Sequence, residues 1–238
     1  MRYTAVISSL AVKAADVLVD GFDTVLLPPD RDIAMPISCH ADMILFTFGD
    51  LGVLPSSYAD QYPDTVERLE KLTGISLVAD GFERSDVYPH DVGLNVLICS
   101  DIAFSRVAYT SPCVKDILSQ SGIRHVDIRQ GYAACSSLSF GSAIITADRG
   151  VASAAEGEGG DVLLISPYGI TLPGYDMGFI GGASGVCERV VYFLGNIDCH
   201  PDAEKIRAFI KKHGFECVSL YDGPLCDYGG IKFIKNRT

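Results

Sequence analysis

No stretch of this chain comes near the ~18 uncharged apolar residues that a membrane-spanning helix needs. The apolar run close to the start, Ala5 to Val12, is cut short by Lys13 and Asp16 and has neither a basic leader nor a cleavable small-residue end. A signal peptide is therefore not expected, and the chain is expected in the cytoplasm. Positive charge is scarce: 19 Lys and Arg stand against 30 Asp and Glu, a formal net charge of −11. Nucleic acid and anionic membranes are poor partners for such a chain, because neutralising phosphates takes lysine and arginine. None of the eight cysteines stands in a Cys-x-x-Cys pair, which removes zinc-ribbon and thioredoxin-type readings. A disulfide framework belongs to short secreted chains, so most of these thiols read as small buried hydrophobes. With 48% hydrophobic and 21% charged residues, the 238 positions have the composition of a globular chain with a large core.

What is present is a repeated grammar. Five times a helix-compatible stretch ends on a glycine, and a short aliphatic run follows: Gly21 before Phe22–Leu27, Gly74 before Ile75–Val78, Gly122 before Ile123–Ile128, Gly160 before Asp161–Ile165 and Gly214 before Phe215–Leu220. Glycine suits the left-handed position that closes a helix, and four to six apolar residues after it read as a buried strand. The helices carry start signals: Asp64 or Thr65, Ser111 before Pro112, and Pro201. The stretch 149–157 is the weakest helix on propensity, being short and rich in Ala and Gly. After each strand comes a polar loop and then a hairpin-like pair of apolar runs, beginning at Met43–Phe48, Leu94–Cys99, Ser137–Phe140, Met177–Ile180 and Ile231–Ile234. The fifth unit lacks its second hairpin strand and helix, and Tyr3–Ser8 with Ala11–Val19 supplies both from the other chain end. The expected architecture is a single α/β domain, 1–238, closed as a ring of five units, which leaves no sheet edge exposed.

In such a ring the loops ahead of the hairpins face the axis. Just before the hairpins stand His40, Asp91, Cys135, Asp176 and Asp227, recurring every 41–51 residues, with Asp42 two positions after His40. Taken singly, each is ordinary: a structural histidine, a buried thiol, turn-capping aspartates. Their shared phase gathers an imidazole, a thiol and several carboxylates on one axis, the inventory for nucleophilic and acid–base chemistry on a cationic group.

These residues resemble a known family. The element Cys39-His40-Ala41-Asp42 ahead of an apolar run, within five repeated units, is similar to the guanidino-group-modifying enzymes of the pentein or α/β-propeller superfamily, built from ββαβ-type units. The superfamily holds arginine and agmatine deiminases, dimethylarginine hydrolases and amidinotransferases. The resemblance implies that His40 is a general acid/base, that Cys135 in Ala134-Cys135-Ser136 is a nucleophile forming a thiouronium intermediate, and that Asp227 orients His40. It implies that Asp42 and Asp176 hold a guanidinium, and Asp91 and Asn95 are further candidates for the pocket lining. No metal or organic cofactor is implied. The partner would be a small guanidine or amidine. In the enzymes it resembles the cysteine stands near the C-terminus, so the order here is circularly permuted, and Cys226 is the rival nucleophile. The segment Tyr175 to Gly182 (YDMGFIGG) is similar to an uncharacterised bacterial branch of the superfamily.

Two other function classes stay open at this level. One is a non-catalytic binding protein on the same ring, as in the archaeal and eukaryotic ribosome anti-association factor. The other is a metal site of His40, Asp42, Cys135 and Cys226, whose spacing matches no standard ligand pattern. Gly181–Gly185 has no Lys-Ser/Thr after it and is not a P-loop. Arg106, Arg124, Arg129 and Arg149 are equal candidates to clamp a substrate carboxylate.

Overall fold

In the computed structural model of the protein, residues 2–237 are described; Met1 and Thr238, the outermost residues of the expected domain, lie outside them. The element order is repetitive. First come β1 (Tyr3–Ser8), α1 (Val12–Leu18) and β2 (Asp23–Leu27). Next are α2 (Ala41–Ile44), β3 (Phe46–Phe48), β4 (Leu51–Pro55), α3 (Ser56–Gln61), α4 (Pro63–Thr73) and β5 (Ser76–Asp80). Then follow β6 (Leu97–Cys99), β7 (Ile102–Ser105), α5 (Pro112–Gln120) and β8 (Arg124–Asp127). The next set is α6 (Ala133–Ser136), β9 (Ser137–Phe140), β10 (Ala143–Thr146), α7 (Arg149–Gly157) and β11 (Asp161–Leu164). The last are β12 (Ile170–Thr171), β13 (Ser184–Cys187), β14 (Val190–Phe193), α8 (Ala203–Lys212), β15 (Glu216–Ser219), β16 (Leu225–Cys226) and β17 (Ile231–Lys235).

The strands form small mixed sheets in the orders β17-β1-β2, β3-β4-β5, β6-β7-β8, β9-β10-β11 and β13-β14-β15, with β12 and β16 as a separate pair. In each three-stranded sheet the first two strands are antiparallel, and the third returns parallel to the second after a helical crossover. One sheet draws on both ends of the chain: Tyr3 to Ile7 of β1 pair antiparallel with Lys235 to Ile231 of β17. The helices lie between sheets, α4 touching β5 and also β1 and β2, and α5 touching β8 and β5. Apolar helix faces and sheet faces therefore share core, as in the cluster of Phe193, Ile197, Ile206 and Ile210 with Phe140 and Ile145. A cavity of about 300 Å³ is lined by the leading strand of every three-stranded sheet, with Thr47, Ile98, Ser139, Val186 and Lys232 among its walls.

Local chemistry explains most boundaries. Gly74, Gly122 and Gly214 adopt positive φ where their helices end. At the fourth helix the left-handed residue is Gly159 and not the expected Gly160. Ser111 caps α5 by accepting from Val114 N at 3.2 Å. The stretch 149–157 does form a helix, because Asp148 accepts from Gly150 N at 2.7 Å and Val151 N at 2.9 Å. Pro63, rather than an Asp64 or Thr65 cap, opens α4, and no side chain caps it. The last crossover helix starts at Ala203, two residues beyond Pro201.

Two expected strands are corrected. Met43 and Ile44 belong to the one-turn helix α2; every residue there is buried, so the apolar run carries no period that separates helix from strand. Met177–Ile180 is not a strand either, and Gly181–Gly185 is not a hairpin turn. The hairpin of that unit joins β13 to β14 around Glu188, whose φ is +53°. The glycines answer a different need, which appears at the site.

Candidate active site

Each expected site residue precedes the leading strand of a sheet: His40 before β3, Asp91 and Asn95 before β6, Cys135 before β9, Asp176 before β13 and Asp227 before β17. His40, in extended conformation, is the N-cap residue of α2 and delivers Asp42 into its first turn. Cys135 rides on the one-turn helix α6. Ligand-type atoms of His40, Asp42 and Cys135 all lie within 4.8 Å of one another. The Asp227 Oδ1 is 3.7 Å from His40 Nδ1, too long for a hydrogen bond. All four side chains are buried.

Backbone threading fixes the cluster. Asp42 N donates to Gly229 O at 3.1 Å, Gly182 N to Cys135 O at 2.9 Å, and Tyr228 N and Gly230 N both reach Gly182 O. A Cβ on Gly182 would overlap the Asp227 carboxylate, and one on Gly181 would overlap the carbonyls of Ala134, Cys135 and Ser137. The Gly181-Gly182 pair is thus required for the chain to pass between Cys135 and Asp227. Asp227 accepts from Phe179 N at 2.9 Å and Gly229 N at 3.0 Å, which aims its carboxyl. Asn95, fully buried, binds the thiol: its Nδ2 lies 3.2 Å from Cys135 Sγ, and its Oδ1 accepts from Ala134 N at 2.7 Å and Cys135 N at 3.3 Å.

The electrostatics are set by burial. Burial lowers His40 to about 3, so its imidazole is neutral. Burial raises Asp42 to about 6 and, with the Asp42 charge added, raises Asp227 to about 7. Burial and the two carboxylates push the Cys135 thiol well above its ordinary value. Both Asp42 oxygens and His40 Nδ1 lack hydrogen-bond partners among the described residues, although the thiol lies alongside Asp42. Lys232, on β17, brings a cation toward Asp42 and Cys135 from the strand-lined cavity; burial lowers its pKa while those two groups raise it. His40, Asp42 and Cys135 are also the one group among the described residues placed to share a metal ion.

A second cavity, of about 310 Å³, shares no lining residue with the strand-lined one. His40, Cys135 and Asp227 form its polar end, and Met43, Tyr132, Leu172 and Phe179 are among its walls. Asp176 stands exposed among its lining residues, away from the buried cluster. Asp42 opens instead onto the strand-lined cavity. Asp91 does not line the pocket; it accepts from Tyr132 OH at 2.6 Å and so holds a wall residue. Cys226, the rival thiol, is placed in another cavity with Tyr221 and Tyr228, apart from His40. Sequence reasoning missed Lys232; the signal was a lysine inside the short apolar strand following the Asp227 loop.

Solved structures resemble the chain along its length. A cysteine-to-serine mutant of DDAH from Pseudomonas aeruginosa, complexed with citrulline, has a TM-score of 0.55 at 13% identity, covering 92% of this chain and 91% of that one. SxtG, an amidinotransferase of the saxitoxin biosynthetic pathway from Microseira wollei, has a TM-score of 0.55 at 10% identity, covering 96% and 80%. At these identities the likeness is one of fold alone. By sequence, no curated protein matches. A family model does match, over residues 13–232, and on it the chain belongs to the family of unknown function DUF6873.

Proposed function

We propose that the five three-stranded sheets are blades of a pentein-type α/β-propeller forming one domain, and that its hub is the active site of a cytoplasmic enzyme that hydrolyses or transfers the amidino group of a small guanidine or amidine. The observation that carries this reading is the convergence of His40, Asp42 and Cys135 within 4.8 Å, beside Asp227, at the end of a pocket. A planar cation taken out of water needs carboxylate acceptors. Asp227 meets that need at the buried end of the pocket and Asp176 at its outer end, while Asp42 faces the same cluster from the strand-lined cavity.

A bound cation adds positive charge beside these carboxylates and the thiol. It draws Asp42 and Asp227 toward their ionised forms and favours the Cys135 thiolate. His40 takes the thiol proton, and Sγ forms a bond to the amidino carbon. The C–N bond to the departing amine breaks, and His40 passes its proton to that amine. The cysteine then carries a thiouronium. A water, or an acceptor amine in a transferase, gives a proton to His40 and attacks the same carbon. The C–S bond breaks, and the thiolate recovers the proton. Asp227 faces the imidazole throughout and favours its transient positive charge. No step calls for a metal or organic cofactor.

Turnover on a guanidine panel, read as released amine and urea, should vanish in Cys135→Ala. In the parent protein, 2-chloroacetamidine should alkylate Cys135 ahead of the other seven cysteines. With burial and the two carboxylates raising the thiol, that rate should climb about tenfold per pH unit from pH 7 to beyond pH 9. Undiminished turnover by Cys135→Ala, or no preference among thiols, would sink the assignment.

A further inference from the structure

Resting on that reading of the hub, we infer that the substrate's non-reacting arm is apolar, an aryl or alkyl group, and carries no carboxylate. Away from its polar end the pocket is walled by Ile37, Met43, Leu172, Met177 and Phe179 together with the rings of Tyr132 and Tyr175. Neither a lysine nor an arginine is among its lining residues. The one charged side chain outside the buried cluster is Asp176, which repels an anion.

The arginines that sequence alone left open as carboxylate clamps are placed elsewhere. Arg106 lies over the rings of Tyr88 and Tyr109, and Arg124 pairs with Glu158. Arg129 and Arg149 are exposed and do not line the pocket. Arg84 has unpartnered N–H groups, yet its Nη1 is held 2.7 Å from Asp30 in a buried pair, and it too is outside the lining. A buried carboxylate without a cation or several donors would stay unpaired at high cost. An aromatic or branched alkyl arm would instead gain from burial against the methionines, Leu172 and the tyrosines. The mouth continues that chemistry, with Tyr175 49% and Met177 36% exposed. About 310 Å³ holds a guanidinium and one such arm.

The test uses thiol-directed probes that share one warhead and differ in the arm. Second-order alkylation rates of Cys135 would be measured at pH 8 by mass spectrometry for 2-chloroacetamidine, its N-benzyl derivative, the same amidine on the side chain of ornithine, and an aminobutyl analogue. The N-benzyl probe should exceed the unsubstituted one by at least about tenfold, the factor that burial of one ring supports. The ornithine probe should be no faster than the unsubstituted one. If the ornithine or aminobutyl probe equals or exceeds the benzyl probe, the inference is overturned while the thiol assignment stands. If the unsubstituted probe shows no preference for Cys135, the proposed function itself fails, and the inference with it.

Discussion

At the scale of single residues, the site is a set of charges buried without enough opposite charge, and this leaves a thermodynamic trace. An aspartate in the unfolded chain ionises near ~3.8, whereas burial raises Asp42 to about 6. Below the unfolded value both states hold the proton and nothing is lost. Between about 4 and 6 the unfolded chain releases it first, so folding stability falls as pH rises, and the loss levels off above the folded value. For His40, lowered to about 3, the sign is opposite: its contribution is present above ~6.5 and lost as pH falls. Asp42→Asn removes the first effect, eases the matching upward shift of Asp227, and leaves the second. Relative to the parent, the variant should therefore gain stability by on the order of 3 kcal/mol between pH 4 and pH 8. Urea unfolding of both proteins across that range checks this. Parallel stability curves would show that Asp42 is not a strained carboxylate.

At the scale of elements, the Cys135 thiol sits on a helix too short to hold itself. Four residues of α6 cannot repay helix nucleation, so the turn is held by its surroundings. Asn95 does most of that, accepting from the N–H groups of Ala134 and Cys135 while its Nδ2 approaches the sulfur. Asn95→Ala leaves the N–H groups of half-buried Ala134 and buried Cys135 unpaired and should cost about 2–4 kcal/mol. Thermal melts would read that cost. At a temperature where the variant is folded, amidine alkylation of Cys135 should also drop about tenfold or more, because the thiolate has lost its donor. A variant that is destabilised yet alkylated at the parent rate would reduce Asn95 to packing.

At the scale of the whole molecule, the sheet built from β17, β1 and β2 ties the two chain ends together. Besides the β1–β17 pairing, Asn236 N donates to Arg2 O at 3.0 Å. Joining the ends with a short Gly/Ser linker and opening the chain at Glu158-Gly159, a turn after α7, should give a folded protein. Its melting temperature should fall within about 10 °C of the parent's, whereas deleting residues 2–8 should abolish cooperative melting, since β2 and β17 both lose their partner. Calorimetry on both proteins decides it. A folded deletion would mean that the β17-β1-β2 sheet is dispensable.

How much of this was legible follows from which signals are local. Glycines after helices, Ser111 before Pro112, and the phase shared by His40, Cys135 and Asp227 are properties of chain order, and a repeat read in phase finds them. The helical turn at Ala41–Ile44 was not legible, because a run buried on all sides carries no period. Nor was the purpose of Gly181-Gly182: the pair reads as a turn until the Asp227 carboxylate and the Cys135 carbonyl are seen pressing on either side. Lys232 and Asn95 act across 97 and 40 residues of sequence from Cys135, and no spacing rule joins them to it. Sequence by itself determined the strand–helix grammar and the inventory of reactive side chains, since those depend on propensity and order. Which thiol faces the imidazole, which carboxylates lose water, and which arginines stay away from the pocket were decided by tertiary structure alone. Burial and proximity are properties of packing, and packing brings together residues that chain order keeps apart.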